Sequence, residues 1–154
     1  MKPEDAALAR RIVEGCSTAT LATLTRDDPS APYPFGSLVA VATDAHGRPL
    51  LLLSKLAEHT KNLEACPRAS LLFADPSSND PLASPRVTLL GRVRRVPDEE
   101  VASAREAYLA RHPGAAKWAA FSDFSFYRLD VETIRFVVGF GKMGWVDPVE
   151  YGRA

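Results

Sequence analysis

The sequence predicts a mainly β protein, an antiparallel barrel with flanking helices, and three observations carry that prediction. Six or seven short runs have the alternation or β-branched content of strands, and turn-forming clusters join most of them directly. Two or three further segments have helical periodicity with recognisable ends. Strands and helices do not alternate as in a doubly wound sheet, and nothing repeats. No low-complexity linker divides the 154 residues, so they are read as one domain, long enough to enclose a sizeable core.

Residues 3–15 predict the first helix. Pro3 suits a first turn, Glu4 and Asp5 favour its positive end, Gly15 stops it, and Leu8, Ile12 and Ala9 form its apolar stripe. Ser17–Thr25 alternates Thr with small and apolar residues, as a strand packed on one face does. Arg26–Ser30 is a turn, Pro32 and Pro34 keep the chain extended, and Phe35–Thr43 is the second strand. Asp44–Pro49 has hairpin-loop composition. Leu50–Ser54 is a third strand whose four leucines imply burial on both faces. Residues 58–66 read as a helix ended by Pro67, because the residue before proline is pushed out of helical geometry.

Ala69–Ala74 is the fourth strand, Pro76–Pro85 a loop rich in Ser, Asn, Asp and Pro, and Arg86–Val96 a long alternating strand. Pro97 and three acids open a helix that runs to Arg111, and His112-Pro113-Gly114 ends it. A short helical piece covers 115–120. Phe124–Leu129 and Thr133–Val138 are the last strands, and Gly139–Trp145 is a glycine-rich loop.

Nineteen Lys plus Arg meet nineteen Asp plus Glu, so the net charge is zero and the field that nucleic-acid binding requires is missing. The longest apolar runs, Leu50–Leu53 and Phe136–Val138, are strand-sized and do not span a bilayer. The opening Met-Lys-Pro-Glu-Asp lacks the apolar stretch of a signal peptide, and Cys16 and Cys66 have no metal-like or redox spacing. A cytoplasmic location with free thiols is the expectation.

The segment Ser54-Lys55-Leu56-Ala57-Glu58-His59-Thr60-Lys61-Asn62 follows a buried strand and opens a helix, where unpaired N–H groups and the helix dipole attract phosphate. Ser54, Thr60 and Asn62 supply hydrogen-bonding groups; Lys55, Lys61 and His59 supply charge. Two readings fit: a phosphate cradle, or polar residues that cap and solvate the helix. No familiar catalytic set accompanies it. The three histidines lie far apart, and Gly139-x-Gly141 lacks the third glycine and the strand–turn–helix setting of a dinucleotide fingerprint.

With these segments in order, the chain resembles the pyridoxamine 5′-phosphate oxidase-like, FMN-binding split-barrel superfamily over roughly residues 8–145. The match runs through Leu50–Ser54, the polar segment, C-P-R-A-S-L-L-F at 66–73 and R-V-T-L-L-G at 86–91. It looks closest to the haem-utilisation branch, whose members carry S-x-L-x-x-H-T-x-N, present here at 54–62 without a gap, and a glycine-aromatic-glycine element like Gly139-Phe140-Gly141. The resemblance implies a six-stranded split barrel, a homodimer with FMN at its interface, and a small-molecule or haem-like substrate. It places Ser54, His59, Thr60, Lys61 and Asn62 around the phosphate and ribityl end. Phe35-Gly36-Ser37-Leu38 would run beside the flavin ring, Arg86 would reach it from the partner subunit, and Trp145 would lie near it. Arg86 is also read as an ordinary interface ion-pair residue.

Two departures set the chain apart from the vitamin-metabolising oxidases. Its G-F-G-K-M-G-W stands where those carry an arginine-and-histidine element, and Glu58-His59 stands where they carry two cations. Three functions therefore compete: an FMN-dependent oxidoreductase, a non-catalytic FMN or haem binder with His59, Cys66 or Met143 as conceivable haem ligands, and a barrel that serves only in assembly.

Overall fold

The computed structural model describes residues 2–75, 78–139 and 141–154. The first helix, α1 (Pro3–Gly15), has the predicted bounds. Its buried stripe is Ala6, Ala9 and Val13, at most 2% exposed, while Leu8 and Ile12 are only half-buried against it. The small residues bring the helix axis close to the sheet, and the larger ones fit at the flanks.

Eight strands form one antiparallel sheet: β1 (Thr18–Leu24), β2 (Pro34–Ala40), β3 (Ala42–Thr43), β4 (Pro49–Ser54), β5 (Arg68–Ala74), β6 (Arg86–Arg95), β7 (Phe124–Gly139) and β8 (Lys142–Val146). Seven follow the order β2-β1-β5-β6-β7-β4-β3, and β8 pairs with β7. The two ends of that path, β2 and β3, are separated in sequence only by Val41, whose amide bonds the Ser17 carbonyl at 2.9 Å. One extended stretch thus supplies both edges, and the sheet curls into a barrel. The count exceeds the expected six for two reasons. Val41 breaks the predicted Phe35–Thr43 strand in two, and β8 is an additional strand.

The two strands expected at Phe124–Leu129 and Thr133–Val138 are one, β7, sixteen residues long. Its polar middle is a bulge rather than a turn: pairing passes from Leu90–Thr133 to Gly91–Val131 and leaves Glu132 as the extra residue. Gly91 permits this, since a Cβ there would lie 1.9 Å from the Asp130 carbonyl oxygen. The predicted glycine-rich loop is also corrected. Lys142–Val146 is strand β8, folded back on β7 through Gly139 (φ +126°) and Gly141 (φ +84°), conformations open to glycine. Phe140 of that element lies outside the described residues, as do Pro76 and Ser77 of the 76–85 loop.

Leu51 and Leu53 of β4 point into the barrel with Leu21, Phe73, Leu129 and Phe136. Leu50 faces the other way, into a second core with Val96, Ala104, Tyr108 and Phe126 beneath the helix α3 (Val101–Arg111). The four-leucine run is therefore buried on both faces, as its composition predicts, although Leu52 is only half-buried. A short 3-10 turn, Asp98–Glu100, precedes α3, and a second, Pro113–Ala115, leads into α4 (Ala116–Ala119). The chain closes with α5 (Pro148–Arg153), capped by the Asp147 carboxylate.

Among the described residues, no helix packs on a different part of the outer surface. Directly paired residues give one row across six strands, Leu38–Thr20–Leu72–Thr88–Arg135–Trp145, roughly 24 Å long. Leu38 is 78% exposed and Trp145 58%, and Leu72, Leu90 and Met143 join them on this face.

Candidate ligand-binding site

The helix α2 (Glu58–Ala65) begins where β4 ends, through a turn at Ser54–Ala57. That turn is fixed by Asp123: its carboxylate accepts from the Ser54 hydroxyl at 2.8 Å, and its carbonyl accepts from the Lys55 amide at 2.7 Å. Ala57 is the N-cap residue and has no side-chain acceptor to offer, so no side chain caps the first turn of α2.

In that turn Thr60 is 1% exposed, and its hydroxyl makes no hydrogen bond among the described residues. A buried hydroxyl without a partner costs stability, and native folds rarely leave one so unless a ligand or water completes it. Lys55 and Lys61 stand exposed beside it. His59 is half-buried, and burial pushes its imidazole pKa below the ordinary histidine value, so it is neutral at physiological pH and adds no cation.

Asn62 is fully buried and its amide is occupied by protein. Its Nδ2 donates to the Thr23 hydroxyl at 3.1 Å, and its Oδ1 accepts from Arg26 Nε at 3.1 Å. The same guanidinium donates through Nη2 to Glu58 at 2.5 Å. Asn62 therefore positions Arg26. A cleft of about 420 Å³ opens at this point, bordered by Thr25, Arg26, Asp27, Phe35 and Glu58.

The structure brings Phe35 to this cleft but divides the rest of its strand. On β2 the alternation sends Phe35 and Ser37 inward and leaves Gly36 and Leu38 on the open outer face. Trp145 lies on that same face, on β8 rather than in a loop, with the Arg135 guanidinium 5.0 Å over its ring. Arg86 does not join the cluster within one chain. It opens β6 opposite Ala74, at the far end of the strands, and its guanidinium folds back onto the Leu82 carbonyl at 2.9 Å. Arg26, Thr23 and Asp123 were missed. Arg26 sits in a run of polar turn residues with no local mark of function, and only barrel closure carries it to α2.

Among the described residues no group of three or more His, Cys, Asp and Glu is placed to hold a metal ion, and no helix is long and apolar enough to cross a membrane. Residues 2–153 match the CREG β-barrel family. This chain belongs to the CREG β-barrel family. That family falls within the pyridoxamine 5′-phosphate oxidase-like split-barrel superfamily, as the sequence resemblance implies.

Among CREG-family relatives and similar proteins, the chain is 47% identical over 108 residues to the chloroplastic heme oxygenase HOZ of Arabidopsis thaliana, covering 70% of this chain and 32% of that protein. It is 28% identical over 163 residues to Protein CREG2 of Mus musculus, covering 97% of this chain and 56% of that one. A solved heme binding protein from Mycobacterium smegmatis superposes with a TM-score of 0.91 at 38% identity, over 100% of this chain and 62% of the mycobacterial one. The chain thus spans less than two thirds of each of these proteins.

Proposed function

We propose that this chain is an FMN-binding flavoprotein, working as a cytoplasmic homodimer, that passes electrons from a reduced nucleotide to a small or haem-like acceptor. The observation that carries the reading is the unpartnered, buried Thr60 hydroxyl in a helix turn no side chain caps, with cations beside it. A terminal phosphate supplies the acceptor oxygens that such a group and the free helix amides lack. The fit is good at this end: Thr60 and the first-turn amides would hold phosphate oxygens, and Lys61 and Lys55 would balance their charge. When bound, FMN supplies the redox chemistry, and the protein supplies binding, orientation and electrostatics.

The open face supports the homodimer. A solvent-facing sheet surface that exposes Leu38, Leu72, Leu90, Met143 and Trp145 is the kind of patch that a second copy covers. Arg86, remote from α2 in its own chain, would reach a flavin only from a partner, and Gly36, Leu38 and Trp145 would border the same shared cleft. The cytoplasmic assignment rests on two free cysteines in unrelated surroundings.

The test is the absorption spectrum of the purified dimer and its change on adding a reduced nicotinamide nucleotide. Yellow flavin absorbance that bleaches supports the oxidoreductase. A flavin that no nicotinamide donor reduces leaves a binder only, and protein that is colourless and takes up no added FMN refutes the flavin assignment.

A second reading, a haem binder, is favoured by the similarity to the heme binding protein of Mycobacterium smegmatis and to the plant heme oxygenase. His59 and Cys66 are half-buried at the two ends of α2, and Met143 is exposed on the open face. Titration with haemin decides it: a Soret shift lost in His59→Ala, Cys66→Ala or Met143→Ala names the ligand, and no shift removes haem.

A further inference from the structure

The cations next to the start of α2, Lys55 and Lys61, are both exposed. A phosphomonoester carries between one and two negative charges at neutral pH. Besides Lys61, the first turn of the helix carries Glu58, an anion, and His59, which burial keeps neutral. A further cation arrives from elsewhere in the chain, on the β1–β2 loop, thirty-six residues before Asn62. Arg26 is tethered through Nε to Asn62, and Asn62 is in turn anchored on Thr23 inside the barrel. Its Nη2 holds the Glu58 carboxylate, whose side chain is 53% exposed. An ion pair that exposed is weak, and its carboxylate is free to turn into solvent.

We infer that Arg26 is the residue by which this chain distinguishes a flavin carrying a phosphomonoester from one without it, and that Glu58 occupies the guanidinium until phosphate displaces it. The inference rests on the FMN reading and adds to it a specificity residue and a competitor. The geometry supports each part. The Asn62 tether fixes the guanidinium at the rim of the cleft that Phe35 and Glu58 border. Its planar fork suits two oxygens of one phosphate, as it suits a carboxylate. Thr60, buried and without a partner in the same helix turn, provides the complementary donor. With Glu58 and Asp27 both on its rim, the empty cleft is not strongly cationic, so the carboxylates also suppress capture of stray anions.

The test is titration of the full-length protein with FMN and separately with riboflavin, read by quenching of flavin fluorescence, for the native sequence, Arg26→Ala, Arg26→Lys and Glu58→Gln. Arg26→Ala weakens FMN by about ten- to a hundredfold, the loss of a charge-assisted hydrogen bond, and leaves riboflavin within about twofold. Glu58→Gln tightens FMN several-fold and leaves riboflavin unchanged. Arg26→Lys, which keeps the charge and loses the fork, falls between. If Arg26→Ala unfolds, Glu58→Gln still decides: no gain for FMN overturns the inference. FMN bound equally by every variant, or FMN and riboflavin weakened together, also overturns it while the flavin assignment stands. A native protein that binds neither flavin overturns both.

Discussion

Asn62 is the residue whose loss the structure prices most directly. Its side chain is fully buried and makes one neutral hydrogen bond, to Thr23, and one to a charged group, Arg26. Replacement by Ala removes both, leaves the 1%-exposed Thr23 hydroxyl without its partner and opens a small cavity. A neutral hydrogen bond contributes about 1 kcal/mol and one to a charged group about 1.5–3 kcal/mol. The Arg26 side chain is 38% exposed, which places its share at the low end. The expected cost of Asn62→Ala is therefore about 2–4 kcal/mol. Arg26→Ala removes the second bond together with the exposed ion pair to Glu58, and leaves Asn62 Oδ1 buried and unsatisfied, for about 1–2 kcal/mol. The double variant falls short of the sum by about 1 kcal/mol, since the shared bond is counted in both singles. Equilibrium urea unfolding followed by circular dichroism measures all three at constant m-value. An Asn62→Ala cost below about 0.5 kcal/mol, or strict additivity of the pair, would show that Asn62 does not hold Arg26 in solution.

Three further predictions test other parts of the structure. Gly91→Ala forces a Cβ against the Asp130 carbonyl at the β7 bulge and should cost at least about 2 kcal/mol, measured as a lowered urea midpoint. His59 should titrate below about 6.5 in the native state. The unfolded chain then binds the proton more readily, so the contribution of His59 is complete above about pH 6.5 and is lost as pH falls toward the native pKa. Imidazole NMR resonances report the pKa directly, and His59→Gln should flatten that part of the stability profile. Leu72→Asp, in the middle of the open face, should halve the mass seen by sedimentation equilibrium with an unchanged circular dichroism spectrum, and an unaltered mass would place the subunit contact elsewhere.

Much of the architecture was legible because the signals are local. Pro3, Glu4, Asp5 and Gly15 mark the ends of α1, and Pro67 stops α2. The leucines of β4 announce burial on two sides, which α3 then explains. What was misread depends on distant partners. Asp130–Glu132 resembles a turn until β6 lies alongside with Gly91 at the matching place. Two glycines dominate the reading of 139–145, although residues 142–146 simply pair with β7. At the site, the motif from Ser54 to Asn62 stood out, but the division of labour within it did not. Asn62 bonds Arg26 of the first hairpin and Thr23 inside the barrel, and the Ser54 hydroxyl donates to Asp123.

A strand made of four consecutive leucines carries a hidden ambiguity. Sliding β4 by one position against β7 would trade leucine for leucine on either side, so oily contacts alone hardly favour one alignment over the next. The index mark lies at the exit of the strand, where Asp123 grips both the hydroxyl of Ser54 and the amide of Lys55. That peg sets how far the chain has advanced before α2 starts, and so where Thr60 comes to rest. The alignment of β4 and the starting point of α2 thus share one marker, Asp123.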